Sequence, residues 1–328
     1  MCHWPDGQSI LARAPAKLNL HLEVLGRRDD GFHDLETVMV KLDLHDTLQF
    51  RTINTDANVD ESSIQLDCRY SSPFFQSDVS SPPPIPVDES NLIVKAARLL
   101  QQTTGVTQGA HIELVKRIPV QAGLGGGSSD AAATLVALNQ LWGLNYSTAE
   151  LSQLAAQLGS DVPFFIDSST AAVCRGRGEI ITPVTIRGNF PVILAQPGSG
   201  LSTPTVFKKW SELSSQKACR SVEPLLEAMS SGKTNSVARL LFNALQIPAE
   251  QLNAQLKQLI SLFQKFALPG TLMTGSGSCC FGICQSFRQA TSISSLLRTA
   301  PFSRVCVTTL HHNRMHHGYY RSTYQANG

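Results

Sequence analysis

A glycine-rich stretch at residues 119–133 constrains this chain most strongly, because four glycines within five positions run directly into a helical pattern. Glycines lack Cβ atoms and accept positive φ, so consecutive backbone N–H groups can converge on one anion. We expect Ser128 or Ser129 to cap the following helix, whose first-turn amides and positive dipole end would point at that anion. The stretch therefore predicts a phosphate-binding loop.

The spacing of the glycines argues against two common phosphate loops. No Gly-Lys-Ser/Thr follows them, so the lysine of a P-loop is missing. Gly123 and Gly125 have no third glycine at the offset of a dinucleotide-binding turn. A flexible surface turn is the remaining alternative, but linkers seldom lead straight into an amphipathic helix.

Size and charge narrow the class of protein. With 328 residues, 42% of them hydrophobic, the chain can form one large domain or two ordinary ones. A formal charge of +2 and the lack of a basic block argue against nucleic acid as a partner. Eight scattered cysteines without metal-site spacing indicate reduced thiols. Because no apolar signal core or run of spanning length occurs, we expect a soluble cytoplasmic protein without membrane contact.

The segment that follows Ala16 alternates strictly between apolar and polar residues, which predicts a half-buried strand. Lys17 and Asn19 share its polar face, about two residues' rise or roughly 7 Å apart. This face is either an ordinary solvated sheet face or the source of the cation that a phosphate loop needs near its phosphates.

A charged turn at residues 26–35 ends in Phe32 and His33. Phe32 offers a stacking face and His33 offers ring donors or acceptors, which together suit recognition of a planar base. Strands are expected at residues 36–42 and 47–53. Residues 54–89 are rich in Ser, Asp and Pro and are predicted to be an extended surface loop with one short strand at 63–68.

Helix signals surround the glycine loop. One helix is expected from Asn91 to before Gly105, and the helix after the loop should stop at Gly143. Ser147 and Glu150 form a capping box that opens a third helix. A strand is expected at residues 111–116.

Asp161 directly follows the predicted end of that third helix and is surrounded by apolar residues. A carboxylate in this position is either a helix cap or a working base, and the sequence leaves both readings open.

The second half of the chain alternates strands and helices. Strands are expected at 171–174, 179–186, 191–196, 271–273, 280–284 and 305–309, and helices from 203 onward, at 222–230, 235–245, 249–267 and 287–298. A second glycine cluster at 274–282 allows one backbone to approach another or a ligand closely, unless it is a simple bulge or hairpin. The histidine-rich tail at 311–328 is predicted to be disordered.

Three segments together resemble the GHMP kinase superfamily in order and spacing: residues 15–20, the glycine loop at 123–129, and Thr-Gly-Ser-Gly at 274–277. Four further segments, at 26–33, 91–100, 159–163 and 203–207, resemble the branch that acts on 4-diphosphocytidyl-2-C-methyl-D-erythritol. The resemblance covers roughly residues 10–310. It implies an α+β fold of two domains, a ribosomal protein S5 domain 2-like ATP-binding domain at 1–185 and a ferredoxin-like domain at 186–310.

The resemblance also implies a reaction. ATP, accompanied by Mg²⁺ whose ligands the sequence does not identify, would phosphorylate the 2-hydroxyl of the cytidine-linked alcohol in non-mevalonate isoprenoid synthesis. The matching catalytic residues are Asp161 as base and Lys17 beside it. Such a reaction mainly requires alignment and charge stabilisation, with a carboxylate to accept the alcohol proton.

The binding residues implied by the resemblance form two groups. ATP would contact Asn91, Leu92, Lys116, Pro119, Val120, Gln121, Ala122, Gly123, Leu124, Gly125, Gly126, Gly127, Ser128 and Ser129. The alcohol substrate would contact Asn19, Phe32, His33, Thr203, Phe207, Gly275 and Ser276. The family more often has tyrosine where this chain has Phe32, so stacking is retained and a phenol hydrogen bond is lost.

Two alternatives remain at this stage. The chain resembles other kinases of the superfamily, of the homoserine or mevalonate type, although a small aliphatic alcohol would not need an aromatic-histidine turn. A non-catalytic nucleotide-binding relative is the other alternative, against which Lys17 and Asp161 both argue. No tightly bound cofactor is expected, and the assembly is predicted to be a monomer or a homodimer.

Overall fold

The computed structural model describes residues 9–53, 63–71, 83–213, 219–299, 303–310 and 320–322. Much of the proline-rich stretch and most of the tail lie outside these residues. The described strands are β1 (Ser9–Arg27), β2 (His33–Thr52), β3 (Ile64–Tyr70), β4 (Ala110–Lys116), β5 (Ala171–Gly176), β6 (Ile180–Pro183), β7 (Pro191–Pro197), β8 (Phe242–Asn243), β9 (Gly270–Met273), β10 (Cys280–Ile283), β11 (Ser303–Thr309) and β12 (Tyr320–Ser322).

The described helices are α1 (Leu92–Thr104), α2 (Gly126–Leu141), α3 (Thr148–Leu158), α4 (Val162–Ile166), α5 (Thr203–Leu213), α6 (Glu223–Ser231), α7 (Thr234–Arg239), α8 (Gln246–Leu252), α9 (Ala254–Phe263) and α10 (Phe287–Leu297). The resulting mixture of sheets and helices confirms the predicted α+β class.

The first sheet is built around the long antiparallel pair β1 and β2, whose register shifts at three places. The first half of β2 pairs with β5, and its second half pairs with β4, to which β3 adds in parallel. The prediction of two strands at 36–42 and 47–53 was therefore wrong, because one continuous strand changes partners rather than ending. The tail contributes β12, which pairs with β1.

The second sheet has the order β11-β7-β10-β9 and is antiparallel throughout. One apolar core joins it to the first sheet, since Leu18 and Val40 belong to the same buried cluster as Leu194 and Phe281. A second cluster lies under α1, α2 and α3, and a third packs α9 and α10 on the second sheet.

Helix ends largely follow the predicted signals. Asn91 Oδ1 accepts the Ile93 N–H, Gly105 ends α1 with φ +72°, and the Ser147–Glu150 capping box is present. Two helices in the second half are shorter than predicted. Residues 235–245 form α7 and then the strand β8, while 249–267 is divided at Asn253, whose side chain caps α9.

Candidate active site

The two glycine clusters pack directly against each other. The Cys279 N–H donates to the Ala122 carbonyl oxygen at 3.2 Å, and the Thr274 hydroxyl donates to the Gly123 carbonyl oxygen at 3.5 Å. A Cβ on Gly123 would collide with the Thr274 carbonyl oxygen, and its φ is +73°. The close approach predicted for the second cluster is therefore made to the first.

The phosphate loop enters its helix earlier than predicted. Gly125, with φ +69°, is the residue that precedes α2, and no side chain caps the helix. Ser128 and Ser129 lie inside the first turns, so the prediction that one of them caps the helix was wrong. Because the cap position is a glycine, the first amides of α2 are left without a side-chain acceptor.

Lys17 joins the first strand to this loop. Its backbone N–H donates to the Leu124 carbonyl oxygen at 2.9 Å. Its Nζ donates to Asn19 Oδ1 at 2.7 Å and lies 3.3 Å from Asp161 Oδ2. A Cβ on Gly275 would lie 3.5 Å from Lys17 Nζ, so the second glycine cluster also reaches this ammonium.

Asp161 occupies the position before α4 but makes no capping hydrogen bond. Its side chain is 30% exposed, whereas that of Lys17 is 4% exposed. The helix-cap alternative is therefore not supported, and the carboxylate is partly exposed to solvent. Phe165 of α4 packs against Gly125, where a Cβ would lie 2.9 Å from its ring.

Asn19 connects this centre to neighbouring strands. Its backbone N–H donates to Thr274 Oγ1 at 3.1 Å, and its Nδ2 donates to Thr37 Oγ1 at 2.8 Å. Thr37 in turn donates to the His21 carbonyl oxygen at 2.6 Å. Sequence reasoning missed Thr37, because its contact with Asn19 depends on strand pairing that no local pattern reveals.

A cavity of about 360 Å³ opens beside the phosphate loop. Of the residues predicted to contact ATP, it is lined by Asn91, Leu92, Lys116, Pro119, Val120, Gln121, Ala122, Gly123, Leu124, Gly125, Gly126, Gly127 and Ser128. Ser129 does not line it, and its hydroxyl is buried without a hydrogen-bond partner among the described residues. The cavity thus gathers the predicted nucleotide residues at one place.

Lys116 stands at the floor of this cavity in a buried ionic network. Its Nζ donates to Asp46 Oδ2 at 2.6 Å and to Asp130 Oδ2 at 2.5 Å. Burial alone would lower the pKa of Lys116, but the two carboxylates outweigh it and raise that pKa. Asp46 also accepts the Arg117 and Ile118 N–H groups, so it fixes the exit of β4. Nothing in the sequence signalled Asp46, which lies on β2.

The rings of His33, Phe207 and Trp210 pack together and, with the adjacent residue Phe32, form what we call the aromatic wall. The Thr203 and Ser276 hydroxyls lie 2.7 Å apart. The His33 ring stacks on Phe207 with centroids 4.9 Å apart, and Trp210 meets it edge-on at 5.7 Å. Phe32 is 52% exposed. Trp210 was missed, although its spacing from Phe207 places both on one face of α5.

No group of three or more His, Cys, Asp or Glu side chains that could hold a metal occurs in the described part of the chain. No helix there is long and apolar enough to cross a bilayer.

The chain resembles known kinases along most of its length. Residues 91–169 match the GHMP kinases N terminal domain, and residues 220–300 match the GHMP kinases C terminal domain. The 4-diphosphocytidyl-2-C-methyl-D-erythritol kinase of Acaryochloris marina is 36% identical over 88% of this chain and 91% of its own length.

Solved structures show the same relationship. A crystal structure of 4-(cytidine 5'-diphospho)-2C-methyl-D-erythritol kinase is 32% identical, covers 92% of this chain and 100% of its own, and has a TM-score of 0.73. A homoserine kinase from Cytophaga hutchinsonii, 17% identical, covers 94% of this chain and 97% of its own with a TM-score of 0.68, a likeness of fold alone.

Proposed function

Because the chain belongs to the 4-diphosphocytidyl-2-C-methyl-D-erythritol kinase family of GHMP kinases, we propose how its residues carry out that reaction. The protein is a phosphotransferase with the two-domain GHMP fold. It transfers the γ-phosphoryl group of ATP to the 2-hydroxyl of 4-diphosphocytidyl-2-C-methyl-D-erythritol, giving the 2-phosphate and ADP for isoprenoid precursor synthesis.

The observation that carries the proposed mechanism is the Lys17–Asp161 pair beside the phosphate loop. Asp161 accepts the proton of the 2-hydroxyl as the alcohol oxygen bonds to the γ-phosphorus and the bond to the ADP oxygen breaks. Lys17 places its Nζ 3.3 Å from the carboxylate and beside the loop that would hold the triphosphate. Asn19 Oδ1 accepts a hydrogen bond from Lys17 Nζ and so orients that group.

The glycine loop supplies the other part of the proposed mechanism. Uncapped first-turn amides of α2 and the positive end of its dipole favour phosphate oxygens at this place. Mg²⁺ would enter as a component of the MgATP substrate, bound to phosphate oxygens and water. The adenosine part would occupy the cavity lined by Asn91, Leu92 and Lys116.

The cytidine end of the substrate is assigned to the aromatic wall. Phe32 would offer its exposed face to cytosine. His33, which follows it, stacks on Phe207 of α5, and Thr203 lies one turn earlier on that helix. A homoserine or mevalonate molecule has no planar base to use this wall. The domain limits, the oligomeric state and the cytoplasmic location remain predictions.

A substrate comparison tests this proposal. We expect ATP turnover with the cytidine-linked alcohol to exceed turnover with homoserine or mevalonate by several orders of magnitude in kcat/KM. A preference for either small alcohol would refute the substrate assignment. ATP binding without turnover of any alcohol would instead support the non-catalytic alternative.

A further inference from the structure

The turn between β5 and β6 reaches both ends of the proposed substrate site. A Cβ on Gly178 would lie 3.8 Å from Asp161 Oδ1 and 3.5 Å from the Ser160 carbonyl oxygen. The neighbouring Arg177 places its guanidinium carbon 5.0 Å from the centre of the Phe32 ring. Residues 176–178 therefore lie between the carboxylate assigned to the reacting hydroxyl and the ring assigned to cytosine.

Among the described residues, the guanidinium of Arg177 is paired only loosely, with Glu179 and, at longer range, with Asp30. Its Nε lies 3.8 Å from Glu179 Oε1, and the other oxygen of that carboxylate accepts the Arg177 backbone N–H at 2.7 Å. By contrast, Arg175, in the same hairpin as Arg177, has its Nε 2.8 Å from Oε1 of Glu36 on β2. Arg28, in the charged turn at residues 26–35, contacts the carboxylates of both Asp30 and Asp34 within 3.0 Å.

The order of the chemical groups along the substrate indicates which of them would lie near Arg177. Its name specifies a cytidine joined through a diphosphate to the alcohol, so a base at Phe32 and a hydroxyl at Asp161 leave the diphosphate between them. The chain has a formal charge of only +2, so this anion needs a local cation. A guanidinium presents paired donors that match phosphate oxygens.

Resting on the proposed function, we infer that Arg177 binds the diphosphate of the cytidine substrate and that the Phe32 ring holds its guanidinium in place. Phe32 then has two roles, because Arg177 covers one face by a cation–π contact and the other face remains for cytosine. Arg177 thus distinguishes a nucleoside diphosphate conjugate from a free nucleoside.

Competitive inhibition by cytidine 5'-diphosphate and by cytidine measures how much Arg177 contributes to binding the diphosphate. Both are titrated against the alcohol substrate at saturating ATP, which keeps them out of the nucleotide cavity, and at one ionic strength. In the native protein the diphosphate should bind more tightly than cytidine. Arg177→Gln should reduce that preference about ten-fold while leaving the affinity for cytidine within about two-fold. Arg177→Lys should restore part of the preference.

Arg175→Gln is the matched control, because it removes the same charge from the same hairpin at a guanidinium already paired with Glu36. It should keep the native preference. The inference is overturned if Arg177→Gln keeps the preference as well, or if it weakens cytidine and its diphosphate equally, which would show that it acts only by supporting Phe32. If the native protein fails to phosphorylate the cytidine-linked alcohol, the proposed function itself fails, and the inference fails with it.

Discussion

Lys17 Nζ and Asp161 Oδ2 lie 3.3 Å apart, and the two side chains differ sharply in exposure. The ammonium is almost completely buried between β1 and the glycine loop, whereas the carboxylate is 30% exposed. A buried cation is fixed in place by its surroundings, while the partly open carboxylate is the member of the pair that a substrate can reach. This asymmetry supports the proposal that Asp161 accepts the proton and that Lys17 provides electrostatic support.

The packing of the two glycine clusters predicts that Gly123→Ala destabilises the protein. The substitution combines strain at φ +73° with a collision against the Thr274 backbone, which cannot be relieved by a rotamer change. We expect a loss of about 3 kcal/mol or more in the free energy of unfolding, measured by urea denaturation. Gly105→Ala is the control, because Gly105 has φ +72° but nothing within 4 Å of an added Cβ. That variant should lose about 1 kcal/mol, and equal losses in the two variants would contradict the role of the contact.

The buried network under the nucleotide cavity predicts a large cost for Lys116→Met. Removal of the ammonium leaves Asp46 and Asp130 facing each other without a cation, which should lower the free energy of unfolding by about 3–5 kcal/mol. Lys95→Met, at an exposed position of α1, should change it by less than about 0.5 kcal/mol. Denaturation of both variants provides the measurement. A fully stable Lys116→Met protein would show that the network contributes little.

The aromatic wall predicts a selective effect of Phe32→Ala. Loss of a stacking face should raise KM for the cytidine-linked alcohol about ten-fold and leave KM for ATP unchanged. Phe287→Ala offers a control, since Phe287 is similarly exposed at the start of α10. Steady-state kinetics with each substrate varied in turn would reveal the effect. An increase in KM for ATP alone would place the base site elsewhere.

His21 predicts a pH dependence of stability. Burial, aided by Arg220 and opposed by Glu36, lowers the pKa of His21 from 6.5 to about 4. Between these values the unfolded chain binds a proton that the folded protein does not, so stability falls as the pH drops from about 6.5 to about 4. The loss should be on the order of 1–3 kcal/mol. His21→Phe should remove this part of the pH dependence, and identical slopes in the two proteins would contradict the assignment.

Local sequence patterns located the elements that carry the site but not the contacts between them. The glycine loop and the Ser147 capping box are features of neighbouring residues, and the structure contains both. Lys17 and Asn19 do contact each other, but the prediction of a half-buried strand was wrong, because residues 14–24 of β1 are buried on both faces. The role of Asp46 could not be predicted from the sequence, because its contact with Lys116 depends on the pairing of β2 with β4. Thr37 and Arg177 likewise depend on strand pairing or a hairpin for their contacts with Asn19 and Phe32.

The predicted boundaries of helices and strands were wrong where tertiary contacts override a repeating sequence pattern. The leucine spacing of residues 249–267 continues across Asn253, yet this residue ends α8 and begins α9 because its side chain accepts the Leu256 N–H at 3.0 Å. Similarly, two strands were predicted at residues 36–42 and 47–53, where β2 is one continuous strand. Asp46 lies between these two segments and accepts the Arg117 and Ile118 N–H groups at the exit of β4.

The rate of phosphoryl transfer by Asp161→Asn tests the central claim most directly. We predict that kcat with the cytidine-linked alcohol falls about 10²-fold or more, because the amide cannot accept the proton, while the Kd for ATP stays within two-fold of the native value. Asp167→Asn, at the other end of α4, should retain native turnover, since its amide oxygen can still accept the Ser169 N–H. Undiminished turnover by Asp161→Asn would contradict the assignment of Asp161 as the base.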